Sequence, residues 1–243
     1  MAKIFEEDAY KKEIITTIKK IDKENKSIEL EDTIFYGQSG GQPGDIGEIS
    51  TKELEIKVEN TIKAEGSIKN ILESIDGLQI NQEVKVKLNW EKRYKHMRMH
   101  SALHLMCAAI PLGVTGGQIG FEKSRLDFND PDKKINKEAL EDKINALMKN
   151  DHKIMYEYID SKILDNQPEL VRTMSVKPPK INGKLRFVKI GDIDFQPCGG
   201  THVKSTIEIG EIKIGKIENK GKMNRRVNTV SYTHLTLPTI CSV

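Results

Sequence analysis

Hydrophobic residues recur with two different periods along the chain, and the change falls near residue 90. Up to residue 89, short segments alternate apolar and polar residues, which is typical of strands with one buried face. Gly, Asn and Asp residues stand between these segments, which cover residues 14–18, 27–30, 53–58 and 84–88. Several short strands joined by turns predict a small β-barrel.

A helical period begins after Asn89, the predicted N-cap. Apolar and histidine residues recur at helical spacing over residues 90–110, and Pro111 follows as a stop signal. A boundary between two domains, residues 1–89 and 90–229, is therefore expected at this change of period.

Beyond the long helix, strands and a second helix are expected. Residues 124–128 and 184–190 have the pattern of strands, and residues 136–149 have that of an amphipathic helix. The side of this helix that we expect to be buried carries Leu140, Ile144, Leu147 and Met148.

Composition and charge exclude only a few classes of protein. The 243 residues carry a formal net charge of +3, which argues neither for nor against a nucleic-acid partner. Three cysteines give no disulfide framework and are typical of a reducing cytosol. No apolar run approaches the ~18 residues that a membrane-spanning helix needs, and no signal-like segment follows Met1. We therefore expect a soluble, cytoplasmic protein without a membrane partner.

Two pairs of potential metal ligands stand far apart in the sequence. His100 and His104 lie four residues apart in the predicted long helix, and Cys198 and His202 flank a Gly-Gly-Thr segment. Residues i and i+4 of a helix share one face about 6 Å apart, so both rings can reach one ion. Imidazole and thiolate are ligands that Zn²⁺ prefers. The spacing predicts a zinc site, and the alternative is a group of core histidines with one buried thiol.

Neighbouring residues compete for these roles. His96 lies one turn before His100, and at about 1.5 Å per residue it is too far from His104 for all three rings to share an ion. Spacing alone does not decide whether His100 pairs with His96 or with His104. Cys107 stands among apolar residues and is more typical of a small buried side chain. His152, in a polar segment, is expected to be a solvated surface residue.

The residue after the first histidine restricts the chemistry. Protease-type zinc helices carry Glu there as the general base, whereas this chain has Ser101, so a peptidase is disfavoured. Zinc can still act as a Lewis acid on an ester carbonyl or supply hydroxide, provided that one coordination position stays open. Four protein ligands would fill the coordination sphere, which is typical of a structural site.

Three further segments carry candidate binding residues. Residues 35–47 hold more glycine than a hairpin needs, which indicates close approach of the backbone to a ligand or a second domain. They lack the Lys-Ser/Thr of a phosphate-binding loop, so no nucleotide cofactor is expected. Thr115 and Gln118 follow the long helix in a turn that either merely stops the helix or places a hydroxyl and an amide near the metal. Residues 213–226 carry six basic residues against one acid, as either a solvated face or a phosphate-binding edge does.

The last fourteen residues carry no charge, although they follow a strongly basic stretch. Residues 230–235 resemble one reading frame of a widely used transposase sequencing adaptor. We therefore predict that residues 230–243 are a tail foreign to the gene, and that His234 and Cys241 are not metal ligands. The alternative is a natural apolar final strand.

The motifs together resemble those of the AlaX-type alanyl-tRNA editing proteins, free-standing relatives of the editing domain of alanyl-tRNA synthetase. The matching segments run in the family's order and cover nearly the whole chain except the tail. They are the glycine-rich loop 35–47, residues 97–104 with both helix histidines, residues 125–128, residues 198–203, and Lys220-Gly221-Lys222 with Arg225 and Arg226. Two departures are Gly37, where the family usually has Pro, and the tail, which cuts off the family's final strand after Arg226.

This resemblance implies an α+β fold, with an N-terminal barrel similar to a translation-factor barrel and then an editing domain of the threonyl/alanyl-tRNA synthetase type. It implies a hydrolase that cleaves the ester of mischarged tRNA(Ala), chiefly Ser-tRNA(Ala) and sometimes Gly-tRNA(Ala), with the acceptor end of tRNA(Ala) as partner. It also selects His104 over His96. The implied ligands of one Zn²⁺ are His100, His104, Cys198 and His202.

The sequence also offers candidate residues for binding the substrate and the tRNA, and it leaves two alternative functions open. The predicted substrate contacts are Thr115, Gln118, Gln42 and Asp45. The predicted tRNA contacts are Lys220, Lys222, Arg225 and Arg226. One rival is a detached piece of alanyl-tRNA synthetase, although a chain that starts at Met1 directly with the barrel favours the free-standing form. The other rival is a non-catalytic RNA-binding module with structural zinc.

Overall fold

The structure, a computed structural model, describes residues 2–64, 66–174, 180–181 and 183–231. In these ranges a closed six-stranded barrel comes first, followed by a long helix and two four-stranded sheets. A short parallel pair, β1 (Ala2–Lys3) with β4 (Asp32–Thr33), contacts the barrel. This arrangement confirms the predicted α+β fold with an N-terminal barrel.

Six antiparallel strands form the barrel. They are β2 (Glu13–Asp22), β3 (Ser27–Leu30), β5 (Gly47–Ser50), β6 (Glu55–Ala64), β7 (Ser67–Leu72) and β8 (Glu83–Leu88). The barrel closes in the order β2-β3-β7-β6-β5-β8. Because successive side chains of a strand point to opposite faces, the alternation in β8 buries Val84, Val86 and Leu88 inside the barrel. All four predicted strands are present, and β6 begins two residues later than expected.

The rest of the chain, here called the α+β part, begins with helix α1 (Trp90–Ala109). The side chain of Asn89 accepts a hydrogen bond from the backbone N–H of Lys92 and so caps the helix as predicted. Most residues of α1 are buried on every side, including Met97, Leu105 and Met106. Such a helix is a central element of the core rather than an amphipathic surface helix.

Two sheets and a second long helix surround α1. The first sheet, in the order β15-β16-β10-β9, contains β9 (Val114–Gln118), β10 (Lys123–Asn129), β15 (Ile212–Lys220) and β16 (Asn224–Ser231). The second contains β11 (Ile154–Asp160), β12 (Lys180–Ile181), β13 (Lys184–Ile190) and β14 (Asp194–Pro197), with β13 paired to the other three. The helices are α2 (Lys137–Lys149), α3 (Ile163–Asn166) and short 3-10 helices at Ile4–Glu6, Pro168–Leu170 and Thr206–Ile209. Helix α1 contacts α2, β10 and β14.

Several expectations about this part are met and three are not. Helix α2 buries Leu140, Ile144 and Met148 as predicted, and Leu147 is only half-buried. The segment with Thr115 and Gln118 is not a turn but strand β9, since its two glycines allow close packing against β10 and the barrel. His152 is half-buried rather than solvated, with Nε2 enclosed.

The final strand continues past the point where the tail was expected to interrupt it. Val230, the first residue of the predicted foreign tail, pairs with Lys123 of β10 and Lys213 of β15. Residues 232–243, which include His234 and Cys241, lie outside the described residues. The foreign origin of the tail and the domain boundary near residue 90 stay predictions.

Among the described residues, no helix is both long and apolar enough to cross a membrane. Even α1, with 20 residues, carries several charged and histidine side chains.

A buried ion pair ties the glycine-rich loop to the first turn of α1. The guanidinium of Arg93 is fully buried and pairs through Nε and Nη2 with both carboxylate oxygens of Asp45. It also donates to the backbone oxygens of Ala9 and Ile34 at 2.8 and 2.6 Å. The same carboxylate accepts a hydrogen bond from the backbone N–H of Tyr36 at 2.6 Å. Asp45 therefore holds the barrel loop on the helix, and its carboxylate is not available to a substrate.

Replacing Arg93 by Met is expected to lower the free energy of unfolding by roughly 3–5 kcal/mol, because it leaves the Asp45 carboxylate buried without a partner. Urea denaturation measures this loss. The control is Lys87→Met, which removes an exposed pair with Glu48 at 3.9 Å and should hardly change stability. Equal, small losses in both variants would contradict the assigned role of Arg93.

Candidate metal centre and adjoining pocket

The four predicted ligands meet at one place. His100 and His104 lie one turn apart on α1, and Cys198 and His202 lie in the loop that follows β14. The Cys198 sulfur is 3.5 Å from His100 Nε2 and 3.4 Å from His202 Nε2. One ligand atom from each of the four side chains lies within 4.8 Å of the others. His96 is not part of this cluster, and its buried Nδ1 has no hydrogen-bond partner in the described parts of the chain.

A hydrogen bond at Nδ1 orients each of the three histidine rings. The partners are Gln42 Oε1 for His100 at 2.9 Å, Asp194 Oδ2 for His104 at 2.9 Å and Ser101 Oγ for His202 at 3.1 Å. Each ring therefore presents Nε2 to the cluster. Rings whose other nitrogen is fixed by a carboxylate, amide or hydroxyl are typical of metal ligands, so the residues present fit a metal ion.

The titration of two of these groups, Cys198 and His202, favours metal binding. Burial alone would raise the pKa of Cys198, but the nearby His100 and His202 hold it well below its usual range. Burial and the neighbouring imidazoles lower the pKa of His202 well below its ordinary value. A thiolate and a neutral imidazole are the forms that bind metal. For His104, burial is outweighed by the hydrogen bonds to Asp194 and Cys198, which raise its pKa to about 9. A metal ion therefore has to displace a proton from this ring.

Arg186 shapes the loop that carries Cys198 and His202. From β13 its Nη1 donates to the backbone oxygens of Cys198 and Gly200 at 2.8 and 2.9 Å, while its guanidinium stacks 3.7 Å above the Tyr156 ring. Gly200 is required here, since a Cβ atom would lie 2.2 Å from Cε1 of His100. The loop can therefore pass directly beside the helix histidines.

The glycine-rich loop of the barrel approaches the α+β part as closely as its composition predicted. A Cβ atom on Gly41 would lie 2.7 Å from the backbone oxygen of Gly117, and the backbone N–H of Ile119 donates to Gly41 at 2.8 Å. Within the barrel, a Cβ on Gly44 would meet the Thr61 oxygen at 1.9 Å. The loop thus forms one wall of the candidate site.

A pocket of about 300 Å³ opens beside the metal ligands. The barrel contributes Tyr36, residues 39–41 and Lys63 to its lining. Apolar and polar side chains of the α+β part complete it, among them Leu103, Cys107, Val114, Gln118, Leu126, Arg172 and Gln196. Cys107 is buried, as expected, and burial raises the pKa of its thiol to about 12. A pocket of this size between two parts of a fold is a typical place for a small ligand.

Of the four predicted substrate contacts, only Gln118 lies in the pocket lining. Its side chain is exposed at the rim and accepts a hydrogen bond from Arg125 at 3.3 Å. Thr115 points elsewhere and donates its hydroxyl hydrogen to the Asp127 backbone oxygen at 3.1 Å. Gln42 lies behind His100, and Asp45 is bound to Arg93. This placement does not support direct substrate contact for these three residues, because their polar groups are bonded within the protein.

The four predicted tRNA contacts differ in how free their charges are. Arg226 binds both carboxylate oxygens of Asp127, at 2.8 and 2.9 Å, and this interaction raises the pKa of Arg226. Lys220 lies 3.7 Å from Glu218, Arg225 is half-buried, and Lys222 is exposed in the turn between β15 and β16. The basic run is therefore partly neutralised by Glu218 on β15 itself and by Asp127 on the neighbouring strand β10.

Four further residues of the candidate site were not predicted from the sequence. Asp194 and Ser101 orient ligand rings, Arg186 shapes the ligand loop, and Gln196 lines the pocket while donating to Asp194 at 2.8 Å. Gln196 and Asp194 stand just before Cys198, and Ser101 follows His100. Polar residues next to predicted ligands were the available signal, although their bonding depends on contacts between distant segments.

Comparisons with known proteins agree with this fold. Residues 185–228 match the family model described as threonyl and alanyl tRNA synthetase second additional domain, and residues 2–92 match that of class II (A) tRNA synthetases. These matches define an editing module of the synthetase type.

Individual relatives identify the family to which the chain belongs. The chain is 34% identical over 232 residues to alanyl-tRNA editing protein AlaX-M of Methanosarcina mazei, with 90% of this chain and 92% of the relative covered. It is 33% identical to AlaX-M of Saccharolobus solfataricus, with 92% and 96% covered. An alanine–tRNA ligase of Prochlorococcus marinus is 32% identical over 84% of this chain but only 24% of the ligase. The chain belongs to the AlaX family of alanyl-tRNA editing proteins, as its motifs predicted.

Proposed function

We propose that this protein is a trans-editing hydrolase that removes wrongly attached amino acids from tRNA(Ala), chiefly serine and also glycine. The observation that carries the proposal is the cluster of four metal ligands beside a pocket of about 300 Å³. The family supports the same function, since relatives covering 90% of the chain are named alanyl-tRNA editing proteins.

The metal in this proposal is one Zn²⁺ held by His100, His104, Cys198 and His202. Three imidazoles and one thiolate are a donor set that suits zinc. When bound, zinc supplies Lewis acidity toward the ester carbonyl and makes water more acidic. The rings are held for this task before any substrate arrives, since each Nδ1 is already hydrogen-bonded.

The protein's own groups bind and orient the aminoacyl ester in this proposal. The apolar side chains of Leu103, Val114 and Leu126 exclude water from the inner pocket, and Gln118 at the rim offers an amide group to a small polar side chain. A pocket of this volume lies at the lower end of the range for small-ligand sites and has room for an aminoacyl group.

The partner in this proposal is the acceptor end of tRNA(Ala), which would place the protein in the cytoplasm. Lys220, Lys222 and Arg225, at the turn between β15 and β16 and just after it, are candidates for phosphate contacts. The match to alanine–tRNA ligases spans 24% of their length, so the same activity is proposed whether the chain acts alone or within a longer protein.

One observation favours a second candidate function. All four ligand atoms lie within 4.8 Å of one another, and a site with four protein ligands is usually structural. The alternative is therefore a non-catalytic RNA-binding module with structural zinc, which would bind tRNA without cleaving the ester.

Ester hydrolysis separates these two candidates. We expect the protein to deacylate Ser-tRNA(Ala), and expect removal of metal by a chelator to abolish this activity until zinc is restored. His104→Ala should lose most of the bound zinc and the activity, because a ligand is removed. Elemental analysis and release of labelled serine are the measurements.

The matched control for His104→Ala is His96→Ala, one histidine on the same helix that lies outside the cluster. This variant should keep its zinc. Full zinc in His104→Ala but not in His96→Ala would contradict the ligand assignment. Zinc and tRNA binding without any deacylation would favour the structural-zinc module.

The basic residues are expected to set affinity for tRNA rather than choice of amino acid. The slope of log affinity against log salt should become flatter by about 0.7–0.9 for each phosphate that a variant no longer neutralises. The double variant Lys222→Ala, Arg225→Ala should therefore show a clear change, and Arg226→Ala a smaller one, since Asp127 already neutralises Arg226. Lys19→Ala, on the barrel, is the control and should leave the slope unchanged. An unchanged slope in the double variant as well would show that residues 213–226 form a solvated face rather than a tRNA-binding edge.

Recognition of the seryl hydroxyl is expected to depend on Gln118 and not on Thr115. Gln118 is exposed at the rim, so water can replace a lost contact and one hydrogen bond contributes only about 0.5–1.5 kcal/mol. Gln118→Ala should therefore reduce the preference for Ser-tRNA(Ala) over Ala-tRNA(Ala) by roughly 2–10-fold. Thr115→Val should keep the wild-type ratio, because its hydroxyl is bonded to Asp127. Hydrolysis rates of both tRNAs give the ratio, and a wild-type ratio in Gln118→Ala would contradict this assignment.

A further inference from the structure

Gln42 connects the barrel to two separate parts of the metal centre. Its side chain is fully buried and makes three hydrogen bonds. Oε1 is 2.9 Å from His100 Nδ1 and 3.1 Å from the Thr201 backbone nitrogen, and Nε2 donates to the Thr201 hydroxyl at 2.9 Å. The amide group of Gln42, in the glycine-rich loop, thus contacts both α1, which carries His100, and the loop that carries Cys198 and His202.

These contacts determine which nitrogen of His100 carries the proton. The backbone N–H of Thr201 can only donate, so the Gln42 atom facing it must be the amide oxygen. The same oxygen faces His100 Nδ1, which therefore has to donate its hydrogen. The neutral ring then has an unprotonated Nε2, and this is the atom 3.5 Å from the Cys198 sulfur.

The position of Gln42 is also fixed from both sides along the chain. Gly41 before it packs against Gly117 and accepts the hydrogen bond from Ile119. Asp45, three residues later, is held by Arg93 on the same helix as His100. The glycine at position 200 leaves the space that the amide needs, since a Cβ there would lie 2.9 Å from Gln42 Oε1.

We propose that Gln42 is a positioning residue for His100, so that the barrel is part of the metal centre although it supplies no ligand. It acts by accepting the Nδ1 hydrogen and keeping Nε2 free for the ion. This inference rests on the proposed zinc site, and it assigns Gln42 a role toward the metal in place of the predicted contact with substrate.

The test is zinc affinity, measured by competition with a chelator in the full-length protein without tRNA. Gln42→Met keeps the length of the side chain but removes the acceptor, and should weaken zinc binding by about 10–100-fold. Gln42→Glu keeps an acceptor for both N–H groups and should stay close to wild-type affinity, since carboxylates commonly accept from metal-bound histidines. Gln38→Met makes the same change at an exposed residue of the same loop and should have no effect.

The outcomes separate positioning from packing. Wild-type affinity in Gln42→Met, or equal losses in Gln42→Met and Gln42→Glu, would overturn the proposal. A wild-type protein that binds no zinc would overturn the metal assignment itself. If Gln42→Met fails to fold, nitrogen NMR of labelled histidine in the zinc-loaded wild type decides. A proton on Nδ1 of His100 supports the proposal, and metal on Nδ1 overturns it.

Discussion

The docking of the glycine-rich loop against helix α1 is the constraint on which the candidate site depends. The Arg93–Asp45 ion pair holds the loop on the first turn of the helix, and the glycines at 41 and 117 let the two backbones touch. A buried ion pair contributes little stability compared with a well-packed apolar contact, yet separating the two charges inside the protein leaves each without a partner and is strongly destabilising. Here it defines where the barrel stands relative to His100 and His104. The pocket walls and the orientation of the His100 ring both follow from that placement.

Groups from different elements orient the three histidine rings of the candidate metal centre. His104 is oriented by Asp194 of β14, His202 by Ser101 of α1, and His100 by Gln42 of the barrel loop. Because each ring is fixed by a partner on another segment, the four ligand atoms converge only in the folded chain. Groups that are held in position in this way lose little freedom when a metal ion or another ligand binds.

Local patterns predicted much of this structure. The change of period at Asn89, the spacing of His100 and His104, and the alternation in the barrel strands each depend on residues close in sequence. Contacts between distant residues were harder to foresee. Arg226 belongs to a run that looked free, but its partner Asp127 lies on the neighbouring strand β10. Likewise, the Thr-Gly-Gly-Gln segment has the composition of a turn, but it is a strand that pairs with β10, and Gly117 packs against Gly41 of the glycine-rich loop.

The wide separation of these residues in the sequence has a consequence for biosynthesis. Gln42, the helix histidines and His202 come from the beginning, middle and end of the described chain. During translation, His100 and His104 are therefore synthesised long before Cys198. Contacts of such long range form late, because a large loop has to close before they contribute. Capture of the proposed zinc would then be one of the last events in maturation, and a zinc-loaded molecule would be one whose barrel and sheets have already assembled.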